Sequence, residues 1–254
     1  MPRIVAAERL NSHYTAYEIE APQIASRIEP GQMLEVRLTG HAVVSPLAIA
    51  DFDREKGRVT IVARNSGTAK IGPAEGHIEL TGPFGKHRPF KSIGKILCVA
   101  EGLGVAALHT RLRELKTAHT YTTVIAGFQS KDHVYWIDRL DAMSDELYVV
   151  TDDGSYGIKG PIVTTIKGVC EHELDIDCAL AIGSLRFLKS CCSITNTHGI
   201  PTMISLNAVP VEDAPSFDGA EPAATFDWSA SSDLDGHKVD FDELVQKLGI
   251  HTAR

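Results

Sequence analysis

The chain is poor in the features that mark several protein classes. Lys and Arg number 25 against 33 Asp and Glu, for a net charge of -8, and no basic stripe appears. Nucleic-acid binding therefore has no electrostatic support. No apolar run approaches the length of a membrane span. The start, Met1-Pro2-Arg3-Ile4-Val5-Ala6-Ala7-Glu8, is charged too early for a signal peptide, and a cytoplasmic location is the expectation. Cysteines are few, odd in number and irregularly spaced (Cys98, Cys170, Cys178, Cys191 and Cys192). That pattern suits reduced thiols and not a disulfide framework, and the adjacent pair Cys191-Cys192 reads as apolar packing. What is present is ordinary globular usage, 43% hydrophobic and 23% charged over 254 residues, enough for one large or two modest domains.

The first ninety residues read as strand after strand. Ile4–Glu8, Tyr14–Glu20, Met33–Leu38, Leu47–Asp51, Arg58–Ala63 and His77–Thr81 are short runs of Val, Ile, Leu, Thr and Tyr, broken by Pro30-Gly31, Lys56-Gly57, Gly67, Gly72-Pro73 and Gly82-Pro83. Such spacing predicts an antiparallel β-barrel. Asp51 to Gly57 reads as a hairpin loop, Asn65-Ser66-Gly67-Thr68 as a polar loop, and Gly82-Pro83-Phe84-Gly85 as a tight turn at the barrel's end.

After Gly94 the pattern alternates. Strands are expected at Ile96–Val99, Thr122–Ala126, Glu146–Thr151, Cys178–Ile182 and Met203–Leu206, with helices at Val105–Lys116, Tyr135–Met143, Gly160–Val169 and Leu185–His198. This alternation predicts a parallel sheet covered on both faces, with ligands at the C-terminal strand ends. Two of those ends stand out. Ile96 to Leu108 is a buried strand, a Gly102-Leu103-Gly104 turn and a helix opening, an arrangement whose free amides and dipole suit a phosphate. Glycine also serves packing in tight turns, and the spacing is not that of the dinucleotide fingerprint. The second is Thr151-Asp152-Asp153-Gly154-Ser155-Tyr156-Gly157-Ile158-Lys159-Gly160, either a ligand-contacting loop or an Asx-type turn feeding a helix.

Together, the proline-centred strand at Pro46, Gly82-Pro83-Phe84-Gly85, the Gly102-Leu103-Gly104 loop and the Thr151–Gly157 motif resemble the ferredoxin–NADP reductase superfamily. The likeness is to its electron-transfer-subunit branch, which includes the dihydroorotate dehydrogenase subunit and the small subunit of electron-bifurcating NADH-dependent ferredoxin:NADP oxidoreductase. Further matches are Ser144 to Tyr148, Gly199 to Asn207 and Asp235 to Leu244. The resemblance implies an FAD-binding β-barrel (residues 1–92), an α/β NAD(P)-binding domain (93–207) and a C-terminal segment (208–254). By position, Pro46, Leu47, Ala48 and Ile49 would lie against the flavin. Gly67 and Thr68 would approach the FAD phosphates. Gly102, Leu103, Gly104, Asp152, Asp153 and Gly183 would line the dinucleotide cleft. No catalytic residue is singled out.

The departures from the family are specific. Val44 stands where an arginine usually pairs with the FAD pyrophosphate, and Ala48 where Thr or Ser lies near the flavin. Ala100 and Glu101 replace glycines, and Glu101 would repel a phosphate unless turned away. The three cysteines that hold a two-iron, two-sulfur cluster in relatives are missing after Asn207, so no such cluster is expected. Asp235–Leu248 is expected to return to helix. The implied function is a flavin-dependent electron-transfer subunit exchanging electrons between NAD(P)H and a larger flavoprotein or iron–sulfur partner. The alternative is a structural or docking subunit that has lost one or both cofactors.

Overall fold

The computed structural model describes residues 2–38, 44–65, 78–90, 93–173, 175–205 and 233–241. Six strands form an antiparallel sheet: β1 (Arg3–Arg9), β2 (Tyr14–Glu20), β3 (Met33–Leu38), β4 (Val44–Asp53), β5 (Arg58–Arg64) and β6 (Ile78–Phe84), in the order β1-β2-β5-β4-β3-β6. One turn of helix, α1 (Pro22–Ala25), follows β2. Both ends of the sheet feed one core: Ile4 of β1 and Ile78 of β6 pack in the same cluster as Ile19, Leu34, Ile49 and Ile61. A sheet whose edges share a core has curled on itself, as small barrels do. No pairing of β1 with β6 occurs among the described residues. The β4–β5 hairpin forms as expected, its turn confined to Arg54–Gly57. Gly82 and Pro83 lie inside β6 and not in a turn beyond it.

The second sheet has the order β10-β9-β8-β7-β11-β12-β13. Its strands are β7 (Lys95–Glu101), β8 (Tyr121–Phe128), β9 (Glu146–Thr151), β10 (Ile158–Lys159), β11 (Cys178–Ile182), β12 (Thr202–Ser205) and β13 (Asp233–Asp235). All neighbours are parallel except β12 and β13. The helices are α2 (Gly104–Thr117), α3 (Ile137–Asp141), α4 (Ile162–His172) and α5 (Leu185–Thr197). Because β7 leads to β8 on one side and has β11 on the other, the strand order reverses between β7 and β11. That reversal is the switch point at which ligands of such sheets bind.

Three further expectations need correction. The helix expected over Tyr135–Met143 shrinks to α3, since Trp136 adopts a left-handed conformation (φ 58°) just before it. The edge strand β10 occupies part of the expected loop between Thr151 and Gly160. Asp235 ends a strand and not the start of a helix, and a helical position is first reached at Phe241. Residues 242–254, with most of that expected helix, lie outside the described residues, as do Leu206 and the segment 207–232. Among the described residues, no helix is long and apolar enough to cross a membrane.

One helix joins the two sheets. Helix α2 is buried along most of its length, and a single apolar cluster unites its Val105, Ala106 and Leu112 with Tyr14, Ala16, Ala50 and Val62 of the antiparallel sheet and Cys98, Ala100 and Ile182 of the parallel one. Its polar residues make the specific contacts. His109, 3% exposed, places Nδ1 3.0 Å from the Ala50 carbonyl oxygen; the carbonyl can only accept, so Nδ1 carries the proton. Burial holds this imidazole below its ordinary value. Arg113 pairs with Asp51 and donates to the Phe52 carbonyl at 3.1 Å. Arg111 is 1% exposed and donates from Nη2 to the Arg88 carbonyl at 2.9 Å. Its Nη1 lies 2.9 Å from His87 Nδ1 and 3.1 Å from Glu114 Oε2, and its guanidinium stacks on Phe90 at 4.4 Å. The bridge to the preceding segment is thus built on a buried charge that stays paired.

The glycines of this half are not equivalent. A Cβ on Gly104 would stand 2.4 Å from the Ile182 carbonyl oxygen, where α2 crosses β11, whereas one on Gly168 within α4 would meet nothing within 4 Å. Gly104→Ala is expected to lower the unfolding free energy by about 2 kcal/mol through overpacking against backbone, and Gly168→Ala to raise it by about 0.5–1 kcal/mol through helix propensity; urea unfolding of both variants checks the opposite signs. His109 generates a pH prediction. Its folded-state pKa lies below its ordinary 6.5, so the unfolded chain binds the extra proton first. Its contribution is complete above 6.5 and is lost as pH falls toward the depressed value. His109→Asn, which keeps a donor for Ala50, should flatten the wild-type loss of stability as pH falls below about 6.5, as read from unfolding free energies measured across a descending pH series.

Candidate functional site

The candidate residues fall on two facing edges. In β4 the side chains alternate: Leu47 (6% exposed) and Ile49 (1% exposed) point into the antiparallel core, while Ala48 packs on the cluster that contains α2 and β7. Pro46 is half-buried and shares the strand face of Ala48. Only the backbone of Leu47 and Ile49 is therefore available to a group lying along the strand. Leu103, from the glycine turn of the parallel sheet, packs on the same cluster as Ala48. Residues 55 positions apart in sequence thus meet at one seam. Gly67 and Thr68 lie outside the described residues.

The Gly102–Gly104 turn is held from both sides. Gly102 (φ 53°) donates its amide to the Gly127 carbonyl at 3.0 Å, and its own carbonyl accepts from the Tyr135 hydroxyl at 2.9 Å. Burial raises the Tyr135 phenol well above its ordinary range, so it remains a donor. Tyr14 of β2 packs on Tyr135 with ring centroids 5.0 Å apart. His13 stacks on His133 at 3.8 Å, and Asn11 Nδ2 donates to the Val134 carbonyl at 3.2 Å. The β1–β2 turn therefore buttresses the loop on the far side. Helix α2 begins without a side-chain cap and without an acid in its first turn; the amides of Val105 and Ala106 donate to the Gly102 and Leu103 carbonyls at 3.3 and 3.1 Å, and the positive end of the helix dipole is directed at the turn. These features fit a bound phosphate.

Asp152 and Asp153 are both exposed in the loop after β9. Asp153 Oδ1 accepts from the Ser155 amide at 2.9 Å and the Ser155 hydroxyl at 2.6 Å, which holds its carboxyl below the usual range. Thr151 Oγ1 donates to the Tyr156 carbonyl at 2.6 Å, and the Lys131 amide donates to Ser155 Oγ at 2.7 Å. Gly157 (φ 63°) is required by the close approach of Val149, whose carbonyl oxygen would stand 2.2 Å from an added Cβ. The loop is an Asx turn folded about Thr151 that leaves Asp152 and Asp153 at the C-terminal edge of β9.

Gly183 follows β11 and is buried. A Cβ there would stand 2.6 Å from the Phe187 ring and 2.7 Å from Glu101 Cγ. Glu101 crosses from the end of β7 to the start of α5, and its Oε1 accepts from the Ser184 amide at 3.0 Å and the Ser184 hydroxyl at 2.5 Å. The carboxylate flagged by sequence as a problem for a phosphate thus points at α5, away from the α2 amides. Tyr135, His109 and Arg111 were not singled out from sequence. The signal was there for the last two, as polar residues within the apolar helix Val105–Leu115. Burial pushes the thiols of Cys170, Cys178 and Cys192 up to about 11, as befits packing residues. Among the described residues, no His, Cys, Asp and Glu cluster could hold a metal ion.

Tyr135→Phe removes the hydroxyl that fixes the turn. It should cost about 1 kcal/mol of stability and speed amide hydrogen exchange in the turn, measured by urea unfolding and by exchange mass spectrometry over residues 101–108.

No protein-family model matches the chain. The chain is 29% identical over 239 residues to the electron-transfer-subunit homolog of dihydroorotate dehydrogenase B (NAD(+)) from Thermotoga maritima, covering 91% of this chain and 84% of that protein. It is 31% identical over 188 residues to the probable electron-transfer subunit of the same enzyme from Methanopyrus kandleri, covering 73% and 70%. Among solved structures it superposes on a chain of the NADH-dependent reduced ferredoxin-NADP oxidoreductase with a TM-score of 0.81 and 26% identity, over 98% of this chain and 93% of that one. At 15% identity and a TM-score of 0.61, over 78% of this chain and 90% of that one, the ferredoxin NADP+ reductase of Neisseria gonorrhoeae shares the fold. The curled antiparallel sheet, the parallel sheet and these relatives agree, and the chain belongs to the family of dihydroorotate dehydrogenase B electron-transfer subunits, within the ferredoxin reductase-like fold.

Proposed function

We propose that this chain is the electron-transfer subunit of a larger oxidoreductase, taking electrons from a nicotinamide dinucleotide, NAD(H) or NADP(H), and passing them through FAD to a larger flavoprotein or iron–sulfur partner. The reading is carried by the seam at which Ala48 and Leu103, one from each sheet, pack on a common cluster. A flat ring along the outer face of β4 would there face a nucleotide anchored at the α2 N-terminus. Bound FAD would accept electrons in pairs and release them one at a time, chemistry that belongs to the cofactor. The chain's own part is to hold and orient. Pro46 and Ala48 offer a small, side-chain-poor surface, and the Tyr135–Gly102 bond fixes the turn. Gly104 lets α2 descend onto β11. Asp152 and Asp153, exposed after β9, would meet the far half of a dinucleotide.

In this reading residues 1–92 form the flavin-binding domain and 93–207 the nucleotide-binding domain, with 208–254 as a remodelled tail. No cysteine follows Cys192, so the tail has no thiolate to offer a cluster, and electrons would leave the flavin directly for the partner. The partner is supported by the relatives, which are named as subunits. A second reading, a docking subunit that no longer binds nucleotide, is favoured by one observation. Glu101 joins the β7 and β11 strand ends through Ser184 and fills the space beside Gly183.

Native purification of the complex separates the two. Visible flavin absorbance that bleaches on anaerobic NADH or NADPH addition is the expected outcome, with less than stoichiometric iron in the isolated chain. A colourless chain that binds neither dinucleotide would overturn the electron-transfer reading.

A further inference from the structure

The contact between the β1–β2 turn and the loop after β8 joins one firmly held partner to one lightly held partner. The β1–β2 turn is fixed from within. Asn11 Oδ1 accepts from the amides of His13 and Tyr14 at 2.8 and 2.9 Å. Asn65 donates from Nδ2 to the Asn11 and Ser12 carbonyls at 3.2 and 3.0 Å, and from its amide to the His13 carbonyl at 2.8 Å. The other side is a single 3-10 turn, Lys131–His133. It is closed by the His133 amide donating to the Ser130 carbonyl at 3.0 Å and the Val134 amide to the Lys131 carbonyl at 3.1 Å. One isolated turn of helix has little stability of its own, so its place depends on what it touches.

What it touches is an imidazole. His13 and His133 are both half-buried, and their rings stack with centroids 3.8 Å apart and planes 12° from parallel. Neutral rings can lie this way, whereas two imidazolium ions at that separation repel. Arg64 of β5 also opposes a proton on His133, while Asp132 of the same turn and Asp153 of the loop after β9 favour one. The Ser130 hydroxyl lies 3.0 Å from His133 Nδ1; it can donate or accept, so it admits either state. Tyr14 of β2 meets the His133 ring edge-on at 6.3 Å. The balance, led by burial and then by His13, holds His133 below its ordinary 6.5.

We propose that the stacked His13–His133 pair is a pH-sensitive clasp: with His133 neutral it fastens the loop after β8 to the antiparallel sheet, and a proton on His133 releases it. The release reaches the glycine turn, because Tyr135, two residues beyond His133, donates its hydroxyl to the Gly102 carbonyl. The Asn11–Val134 bond contains no group that titrates, so acid loosens the loop without detaching it. A depressed folded-state value means that the released form binds the proton more tightly. The clasp is therefore complete above 6.5 and is lost as pH falls toward the depressed value. No bound cofactor is needed for any of this, and the electron-transfer reading stands or falls separately.

Hydrogen-exchange mass spectrometry of the full-length chain over a descending pH series tests the clasp, with protection factors corrected for intrinsic exchange. Protection over residues 129–137, and through Tyr135 over 101–108, should hold above about pH 6.5. Below that it should fall by at most about tenfold per pH unit, the limit for one linked proton. Residues 122–126 of β8 should keep their protection, which separates local release from general unfolding. His133→Phe leaves a ring for His13 to stack on and carries no charge, and it should abolish the fall. His109→Asn removes the other depressed imidazole near this loop and should retain the fall. A proton NMR titration of the wild-type His133 ring reads the same group without substitution. A fall absent from either segment, one that persists in His133→Phe or disappears in His109→Asn, or a His133 ring that titrates at or above about 6.5 overturns the proposal.

Discussion

Helix α2 must satisfy two sheets at once, and the rest of the molecule is arranged around that demand. Its apolar residues complete the core under β7, β8 and β11, and they also cover the outer face of β2, β4 and β5. Arg113, Lys116 and Thr117 at its end are exposed, but from Gly104 to Leu112 the helix is buried throughout and has no solvated face on which to put its polar groups. Each must therefore find a partner within the fold, since a lost partner would leave a buried group unpaired. His109 finds the Ala50 carbonyl, Arg113 finds Asp51, and Arg111 finds His87, Glu114 and the Arg88 carbonyl. Directional contacts of this kind fix the helix in rotation and in translation, where apolar packing alone would tolerate slippage. The seam beside Ala48 inherits its shape from that registration.

The glycine turn shows how the same constraint reaches the site. Gly104 is glycine because α2 must pass within contact of the Ile182 carbonyl. Gly102 has a left-handed backbone and has both of its polar groups engaged. The packing reading and the phosphate reading of these residues are therefore compatible. The turn is rigid for reasons of core geometry, and that rigidity fixes the direction of the α2 dipole. The acidic loop after β9 is different: its glycines and Asp153 are accounted for by the Asx turn about Thr151, and Asp152 is left exposed.

Much of the architecture was legible because hydrophobic period changes near Gly94, from short punctuated runs to runs that alternate with helical stretches. Strand β7, helix α2 and strand β11 came out within a residue or two for that reason. What was not legible depended on contacts across sequence. Alternation in β4 shows that two of Pro46, Leu47, Ala48 and Ile49 face one way and two the other, but only the packing tells which pair meets α2. Nothing local announces that Trp136 breaks the helix around it, or that Asp233–Asp235 returns to pair with β12. Glu101 was conspicuous in the sequence as a charge among glycines. Its acceptance from Ser184 could be found only once β7 and β11 were neighbours.

The pairing of β12 with β13 has a further consequence. Ser205 and Asp233 sit directly opposite each other in the ladder, and Gly236 is packed so closely on Cys192 that an added Cβ would touch its sulfur. The two ends of the intervening segment are therefore held side by side in the ladder. For any flexible segment closed between such fixed ends, doubling its length costs only about 0.6 kcal/mol in closure entropy. The edge of this sheet is a socket, into which a lineage can insert, trim or exchange a whole module without disturbing the framework that carries it.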